Sequence, residues 1–207
     1  MASSLANKTK PQLIEMVKSL TEENAALKEL QRIIESNNKR LEKLELEQNM
    51  ALQYSRRDSI EISGIPQTVQ QKDLEGETIK ILQAAKVQVH GNHADVMDIQ
   101  ACHRVGKKGA TIVKFVNRKF ARESLYCGRN LKGNKLYGAN SQIFINNSFC
   151  PEYKYLNYLV RKAKKDNLVF RWKVRNGITS VQMEDGSDFI EVTHKNDLIT
   201  LGITQEE

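Results

Sequence analysis

The sequence predicts an α+β protein in which one long helix precedes two small domains of mixed strands and helices. Three patterns predict this class. Apolar residues recur with a heptad period near the N-terminus, strand-like alternation begins after Arg57, and an Asn176-Gly177 hairpin signal separates two later alternating runs. The expected segments are a flexible N-terminus at 1–10, a coiled coil at 11–56, a middle domain at 57–150 and a C-terminal domain at 151–207.

The long helix carries an apolar seam of the kind that partner helices bury between them. Leucine or isoleucine occupies each heptad a position from residue 13 to residue 41, whereas the d positions include polar Glu23 and Asn37. A strict a/d stripe is typical of a coiled coil, while a surface helix folded back on its own domain usually has a wider apolar face. The seam predicts self-association, as a dimer or a trimer, through Leu13, Leu20, Leu27, Leu30, Ile34, Asn37, Leu41 and Leu44.

The middle domain shows strand and helix patterns in the order β-α-β-β-α-β. Strands are expected at 59–63, 96–105, 110–116 and 142–149, and helices at 73–86 and 118–127. This order is that of the ferredoxin-like arrangement, which packs two helices on one face of an antiparallel sheet and leaves the other face open. Such an open face often binds RNA, although the arrangement alone does not establish a function.

The C-terminal domain is expected to begin with a basic helix after Cys150-Pro151. Three strands follow at 168–174, 178–183 and 188–193, and a short helix around 196–201 ends the pattern. A unit of this size buries little core by itself. We therefore expect it to pack on the middle domain or on a neighbouring subunit.

Positive charge is concentrated in two windows of a chain whose formal net charge is +7. The window 104–135 contains Glu123 as its one acid, and the window 154–175 contains Asp166 as its one acid. Such clusters attract polyanions, most often nucleic acid, although a solvated lysine-rich surface is the alternative for any single residue. The candidate phosphate contacts are Arg104, Lys107, Lys108, Lys114, Arg118, Lys119, Arg122, Arg129, Lys132, Lys135, Arg161, Lys162, Lys164, Lys165, Arg171, Lys173 and Arg175.

The segment 108–115 partly fits the signature octapeptide of RNA-recognition domains. Lys108, Gly109, Val113 and Phe115 match the signature. Ala110 and Ile112 stand where the base-stacking aromatic residues are expected. Binding is therefore predicted to be dominated by phosphates, weakly sequence-specific, salt-dependent and directed to single-stranded RNA or DNA. Trp172, between two cations, suits base stacking, although a lone tryptophan more commonly packs in a core.

The cysteines and the N-terminal segment bear on the compartment. Cys102, Cys127 and Cys150 are odd in number and widely spaced, which argues against a disulfide framework. The first ten residues have no apolar core of a signal peptide, and no apolar run reaches the length of a membrane span. These features predict an intracellular protein of the cytoplasm or nucleus that has no membrane span.

Catalytic and metal-binding patterns have little support. His90-x-x-His93 and Cys102-His103 match no standard zinc spacing, so neither a metal nor another cofactor is expected. The sequence contains no phosphate-binding glycine run, no H-E-x-x-H and no G-x-S-x-G. The prediction is a protein that is not an enzyme.

Several short motifs resemble known families. R-R-x-x-I-x-I-x-G-I-P at 56–66, H-R-x-G at 103–106 and I-V-K-F at 112–115 resemble the first-open-reading-frame proteins of LINE-type retrotransposons. The segments 172–177, 189–192 and 196–198 are more similar to the few-polyhedra protein family of baculoviruses and its invertebrate relatives. The resemblance implies a coiled coil, an RNA-recognition-like domain and a small C-terminal domain. It also places Arg104 on the binding-side strand.

The resemblance leaves two functions open. Retroelement proteins of this kind coat RNA and act as nucleic-acid chaperones, which implies a self-associating nucleic-acid-binding protein. The baculovirus family implies instead a non-enzymatic, virion-associated structural or late-infection adaptor, with viral or host protein partners on its coiled coil. Salt-sensitive binding to single strands distinguishes the first function from the second.

Overall fold

The computed structural model describes residues 9–106, 109–138 and 142–203 and shows a mixed α+β protein with a long N-terminal helix and antiparallel sheets. The chain divides into two compact units, Met1–Glu47 and Gln48–Glu207. The long helix contributes to both, because its last residues, from Gln48 onward, belong to the second unit. That second unit contains every strand and every other helix of the described residues.

Apart from one added hairpin, the elements follow the predicted order, and several strands are shorter than expected. The strand expected at 96–105 begins at Ile99, because Val96–Asp98 form a 3-10 turn. The helices are α1 (Lys10–Tyr54), α2 (Leu74–Ala84), α3 (Arg118–Cys127), α4 (Pro151–Lys165) and α5 (Lys195–Thr200). The strands are β1 (Ser59–Ser63), β2 (Gln88–Val89), β3 (Asn92–His93), β4 (Ile99–Val105), β5 (Ala110–Phe115), β6 (Phe144–Asn147), β7 (Arg171–Arg175), β8 (Ile178–Gln182) and β9 (Ile190–Val192). The β2–β3 hairpin was not predicted, because two-residue strands carry no readable alternation.

Helix α1 is long because its sequence contains no residue that would interrupt it. Its one proline, Pro11, lies in the first turn, and no glycine occurs between Lys10 and Tyr54. The Thr9 backbone N–H donates to the Gln12 side chain over 2.9 Å, so one of the free N–H groups at the helix start is satisfied. The apolar seam is exposed along the helix, with Leu20 at 48% and Leu27 at 58%.

A four-stranded antiparallel sheet has the order β4-β5-β1-β6, which leaves β4 and β6 as edge strands. Ile60 faces Val113 of β5, and Ile62 faces Ile145 of β6. These side chains point to the same side of the sheet as α2 and α3, and all of them join one hydrophobic cluster. The alternation seen in the sequence arises because α2 and α3 cover this face of the sheet.

The C-terminal residues build a second hydrophobic cluster around the three-stranded antiparallel sheet β7-β8-β9. Leu156 and Val160 of α4 and Leu198 of α5 pack there against Val181 and Val192 of the sheet. The expectation of packing on the middle domain agrees with the single compact unit that both clusters share. In the described part of the chain, no helix combines the length and the apolar character that a membrane crossing needs.

Candidate nucleic-acid interface

A cleft of about 1410 Å³ runs along the edge strand β6 within the second compact unit. Helix α3 forms one wall, α4 and the β7–β8 turn form the other, and the last turn of α1 also lines the cleft. Among the described residues, ten cations line it, together with the single acid Glu61. We call this site the basic cleft, and its cations are Arg56, Arg57, Arg118, Lys119, Arg122, Lys154, Arg161, Lys162, Lys165 and Arg175.

The wall from α3 is basic because the helix is strongly two-sided. Phe120, Ala121 and Ser124 are buried against the sheet, which leaves Arg118 and Arg122, one helical turn apart, on the exposed side. The start of the helix is fixed by the Asn117 side chain, which accepts a hydrogen bond from the Lys119 backbone N–H over 2.9 Å. The two arginines are therefore held on a short, well-capped helix.

The opposite wall is a stripe along α4. Its inner face packs Leu156, Val160 and Ala163 into the second hydrophobic cluster. The residues at helical spacing on the outer side then line the cleft, and they are Lys154, Tyr158, Arg161, Lys162 and Lys165. Because the apolar face of α4 packs in the second cluster, the cations on its outer face line the cleft.

Most of the cleft cations keep their charge unneutralised by the protein. Glu61 is already paired, because the Lys154 Nζ lies 3.0 Å from its carboxylate. Within the part of the chain that the structure describes, six cleft cations make no ion pair and no side-chain hydrogen bond, namely Arg118, Arg122, Arg161, Lys162, Lys165 and Arg175. Like charges held together in one cleft produce a positive potential that favours a polyanion.

Exposed aromatic side chains lie among these cations. Tyr126 is 62% exposed and Trp172 is 36% exposed, and both line the cleft together with Tyr158. The expectation that Trp172 packs in a core is therefore wrong. Its strand, β7, is an edge strand of its sheet, so this position is only partly covered.

Seven of the predicted phosphate contacts meet in the basic cleft: Arg118, Lys119, Arg122, Arg161, Lys162, Lys165 and Arg175. Lys107 and Lys108 lie outside the described residues. The other eight do not line the cleft, and several have partners within the fold. The Lys164 Nζ donates to the Phe170 carbonyl over 2.6 Å, and the Lys173 Nζ lies 3.5 Å from the centroid of the Phe189 ring. The remaining residues outside the cleft are Arg104, Lys114, Arg129, Lys132, Lys135 and Arg171.

Arg104 holds the fold together instead of contributing to the cleft. Its guanidinium donates to the carbonyls of Pro66 (2.6 Å), Gly109 (2.9 Å), Val69 (3.2 Å) and Ile65 (3.4 Å). Arg104 thereby fastens the turn after β1 to the β4–β5 connection. These bonds use the terminal N–H groups of the guanidinium, so few donors remain for the phosphate contact predicted for this residue.

The Arg104→Met substitution is expected to lower stability without a specific effect on ligand binding. It removes bonds from a charged donor and leaves partly buried carbonyls unpaired, which costs about 2–4 kcal/mol. Thermal unfolding followed by circular dichroism should show a fall of several degrees, whereas the exposed Lys132→Met should change little. An unchanged melting temperature for Arg104→Met would contradict the structural role.

Three cleft cations were not among the predicted contacts. Arg56 and Arg57 follow the end of α1, and Lys154 lies in the first turn of α4. The Arg56 guanidinium donates to the Ser148 hydroxyl over 3.2 Å, and the Arg57 guanidinium lies 4.2 Å from the centroid of the Tyr54 ring. The helical spacing from Lys154 to Arg161 and Lys165 was the available sequence signal for the α4 stripe.

The thiols and imidazoles do not form a reactive or metal-binding constellation in the described residues. Burial raises the pKa of the Cys102 thiol and also that of the Cys127 thiol, so both stay protonated near neutral pH. His90 contacts the Lys119 Nζ at 2.8 Å, and His93 contacts the Gln88 side chain at 2.8 Å. No group of three potential metal ligands comes together in the ranges that the structure describes.

Comparison of the chain with models of known protein families gives no match, and comparison with curated proteins gives none either. The resemblance to retroelement and baculovirus proteins therefore stays a prediction that the short motifs carry. The geometry of the basic cleft is independent of that resemblance.

Proposed function

We propose that this chain is a non-enzymatic, self-associating protein that binds single-stranded nucleic acid in the basic cleft, mainly through phosphates. The observation that carries the proposal is the charge of the cleft, where ten cations face one acid that is already paired. Concentrated, unneutralised positive charge is the electrostatic footprint of nucleic-acid binding. The retroelement or viral role implied by the motifs is part of the same proposal.

Single strands fit the cleft better than duplexes because exposed aromatic side chains accompany the cations. Tyr126, Tyr158 and Trp172 offer ring faces on which unpaired bases stack, at about 1–3 kcal/mol per base. A duplex hides its base faces inside the helix. Stacking tolerates any base, so the proposal keeps the predicted weak sequence preference.

We assign residues 57–150 to a ferredoxin-like, RNA-recognition-like domain. The sheet order β4-β5-β1-β6, the antiparallel pairing and the packing of α2 and α3 on one face support this assignment. The open face of the two central strands carries Glu61 and Ile112 side by side and no aromatic residue. The usual stacking platform is therefore absent, which favours the basic cleft at the β6 edge as the binding surface.

Self-association rests on the seam of α1. A single helix leaves its leucines in water, and burying each of them between helices is worth about 1.5–3 kcal/mol. Further copies of α1 would bury the seam as a coiled coil. Each copy brings one basic cleft, so an oligomer binds a long strand through several weak sites at once.

The experiment that tests the function is a fluorescence-anisotropy titration of the full chain with a labelled single-stranded RNA at low and higher salt. If about five phosphates are neutralised, the affinity should fall about 500-fold between about 50 mM and about 300 mM salt, since single strands lose about 0.7 counterions per contact. A labelled single-stranded DNA and a duplex of the same length provide the comparison.

Absence of binding at low salt would contradict the proposal and leave the protein-adaptor function as the better one. Tight binding that is insensitive to salt would also contradict it, because contacts with bases alone would then carry the affinity. Preference for the duplex would contradict the part of the proposal that assigns stacking to Tyr126, Tyr158 and Trp172.

A further inference from the structure

One polar side chain at the end of α1 is buried where its neighbours on the helix are exposed. Gln53 is only 3% exposed, whereas Leu52 and Tyr54 beside it are largely accessible. Both ends of its amide are used. The Nε2 donates to the Ser148 carbonyl over 3.2 Å, and the Oε1 accepts from the Cys150 backbone N–H over 2.9 Å. Buried amides are retained only where such bonds compensate the loss of water.

The backbone that Gln53 binds is the connection between the two hydrophobic clusters. Residues 148–150 follow β6 of the first cluster and precede α4 of the second. The two walls of the basic cleft belong to different clusters, since α3 packs in the first and α4 in the second. The conformation of this short connection therefore sets how far apart the walls lie.

The β7–β8 turn also packs directly against the Gln53 amide. Gly177 is buried with a φ of +76°, and a Cβ at this position would lie 2.1 Å from the Gln53 Nε2. No side chain fits there without displacing the amide. The last turn of α1, the connection and the β7–β8 turn thus meet at one side chain, and all three segments line the cleft.

Other polar links near the cleft are weaker restraints. The Lys154–Glu61 pair has a largely exposed lysine, and exposed ion pairs contribute little because water screens them. The Arg56–Ser148 bond runs between part-buried side chains and reaches only one side of the connection. Gln53 alone of these residues bonds the backbone on both sides of Phe149.

We propose that Gln53 is a positioning residue that fixes the separation of the two walls of the basic cleft, and this inference rests on the proposed nucleic-acid function. The amide binds no phosphate itself in this proposal. It holds the cations of α3 and those of α4 at the spacing that one strand spans, so that less ordering is needed on binding.

The test uses the full chain with Gln53→Met, which keeps the side-chain length but removes both hydrogen bonds. Two readouts are measured: the distance distribution between spin labels at Glu75→Cys on α2 and Asp188→Cys in the second cluster, and the affinity for an oligouridine RNA. Labelled chains are diluted with excess unlabelled chain so that distances within one copy dominate. The exposed Gln83→Met is the matched control.

We expect Gln53→Met to broaden the distance distribution and to weaken RNA binding about 10-fold, with unchanged circular dichroism at the measuring temperature. Gly177→Ala should do the same through the clash with the amide. Gly186→Ala is its control, because Gly186 has a similar φ of +82° and an added Cβ there meets nothing within 4 Å.

An unchanged distance distribution in both Gln53→Met and Gly177→Ala would overturn the inference, whatever the RNA affinity. Broadening of the distribution together with absence of binding by the unmodified chain would support the positioning role and contradict the nucleic-acid function. A change in Gly186→Ala as large as that in Gly177→Ala would also overturn it, because backbone strain and not the amide would then be the cause.

Discussion

Replacing Arg118, Arg122 and Arg161 together by glutamate is expected to abolish most of the affinity for single-stranded nucleic acid. The three residues come from both walls of the basic cleft, and none of them has a compensating acid among the described residues. Their replacement removes three phosphate contacts and adds three repulsive charges. We expect the affinity at about 100 mM salt to fall at least about 100-fold.

The salt dependence gives a second, sharper readout of the same variant. Each lost phosphate contact lowers the slope of log affinity against log salt by about 0.7 for a single strand, so three lost contacts lower it by about 2. Anisotropy titrations at four or more salt concentrations measure the slope directly. A large loss of affinity with an unchanged slope would mean that the substitutions disturb the fold of the variant and do not remove phosphate contacts.

The matched control carries the same change of charge on exposed lysines outside the cleft. Lys72→Glu, Lys132→Glu and Lys135→Glu together alter the net charge by the same amount without touching either wall. We expect affinity to change only a few-fold, through the general field of the protein. Equal losses in the two triple variants would contradict the cleft and favour diffuse attraction by the whole basic surface. Both variants should unfold at temperatures close to that of the unmodified chain.

The elements of the fold could be predicted because their signals are local. Alternation marked β1 and β5, and apolar residues at helical spacing marked α3. The α2 and α3 bounds were expected within two residues of where they lie. The β2–β3 hairpin was not predicted because its strands are only two residues long. Its turn also places His90 at a φ of +53°, which is uncommon for a residue other than glycine.

The basic cleft could be predicted only in part because its members are distant in the sequence. Charge windows contained Arg118, Arg122 and Arg161, but they also contained Arg104, whose partners are four carbonyl groups in two separate turns. A charged residue and a structural hydrogen-bond donor look alike in a sequence. Only the packing of the chain shows which guanidinium groups are already used.

Gln53 is a residue whose structural role the sequence did not indicate. In the heptad register set by Leu13 to Leu41, Gln53 falls at an f position, opposite the seam, where a glutamine is ordinary and suggests only a solvated surface. Its bonds reach residues about a hundred positions later in the chain. The glycine of the Asn176-Gly177 turn was expected from turn geometry, but the sequence contained no sign that this turn meets an amide of α1.

Leu20→Asp together with Leu27→Asp is expected to abolish self-association and to weaken binding to long RNA at least about 100-fold. Both leucines are seam a positions and largely exposed on the single helix. A buried carboxylate in a coiled-coil seam would be strongly unfavourable, so the copies should separate. Sedimentation velocity measures the oligomer, and anisotropy with a long and a short RNA measures binding.

The short RNA separates avidity from damage to the cleft. An oligonucleotide that one cleft can hold gains nothing from a second copy, so its affinity should change by no more than about twofold. Ala25→Asp with Ser36→Asp, on exposed helix positions away from the seam, adds the same charge and should leave both the oligomer and the long-RNA affinity nearly unchanged. Equal losses for long and short RNA would show that α1 acts through the fold of the second unit. Retained oligomers in the leucine variant would show that the copies associate through another surface.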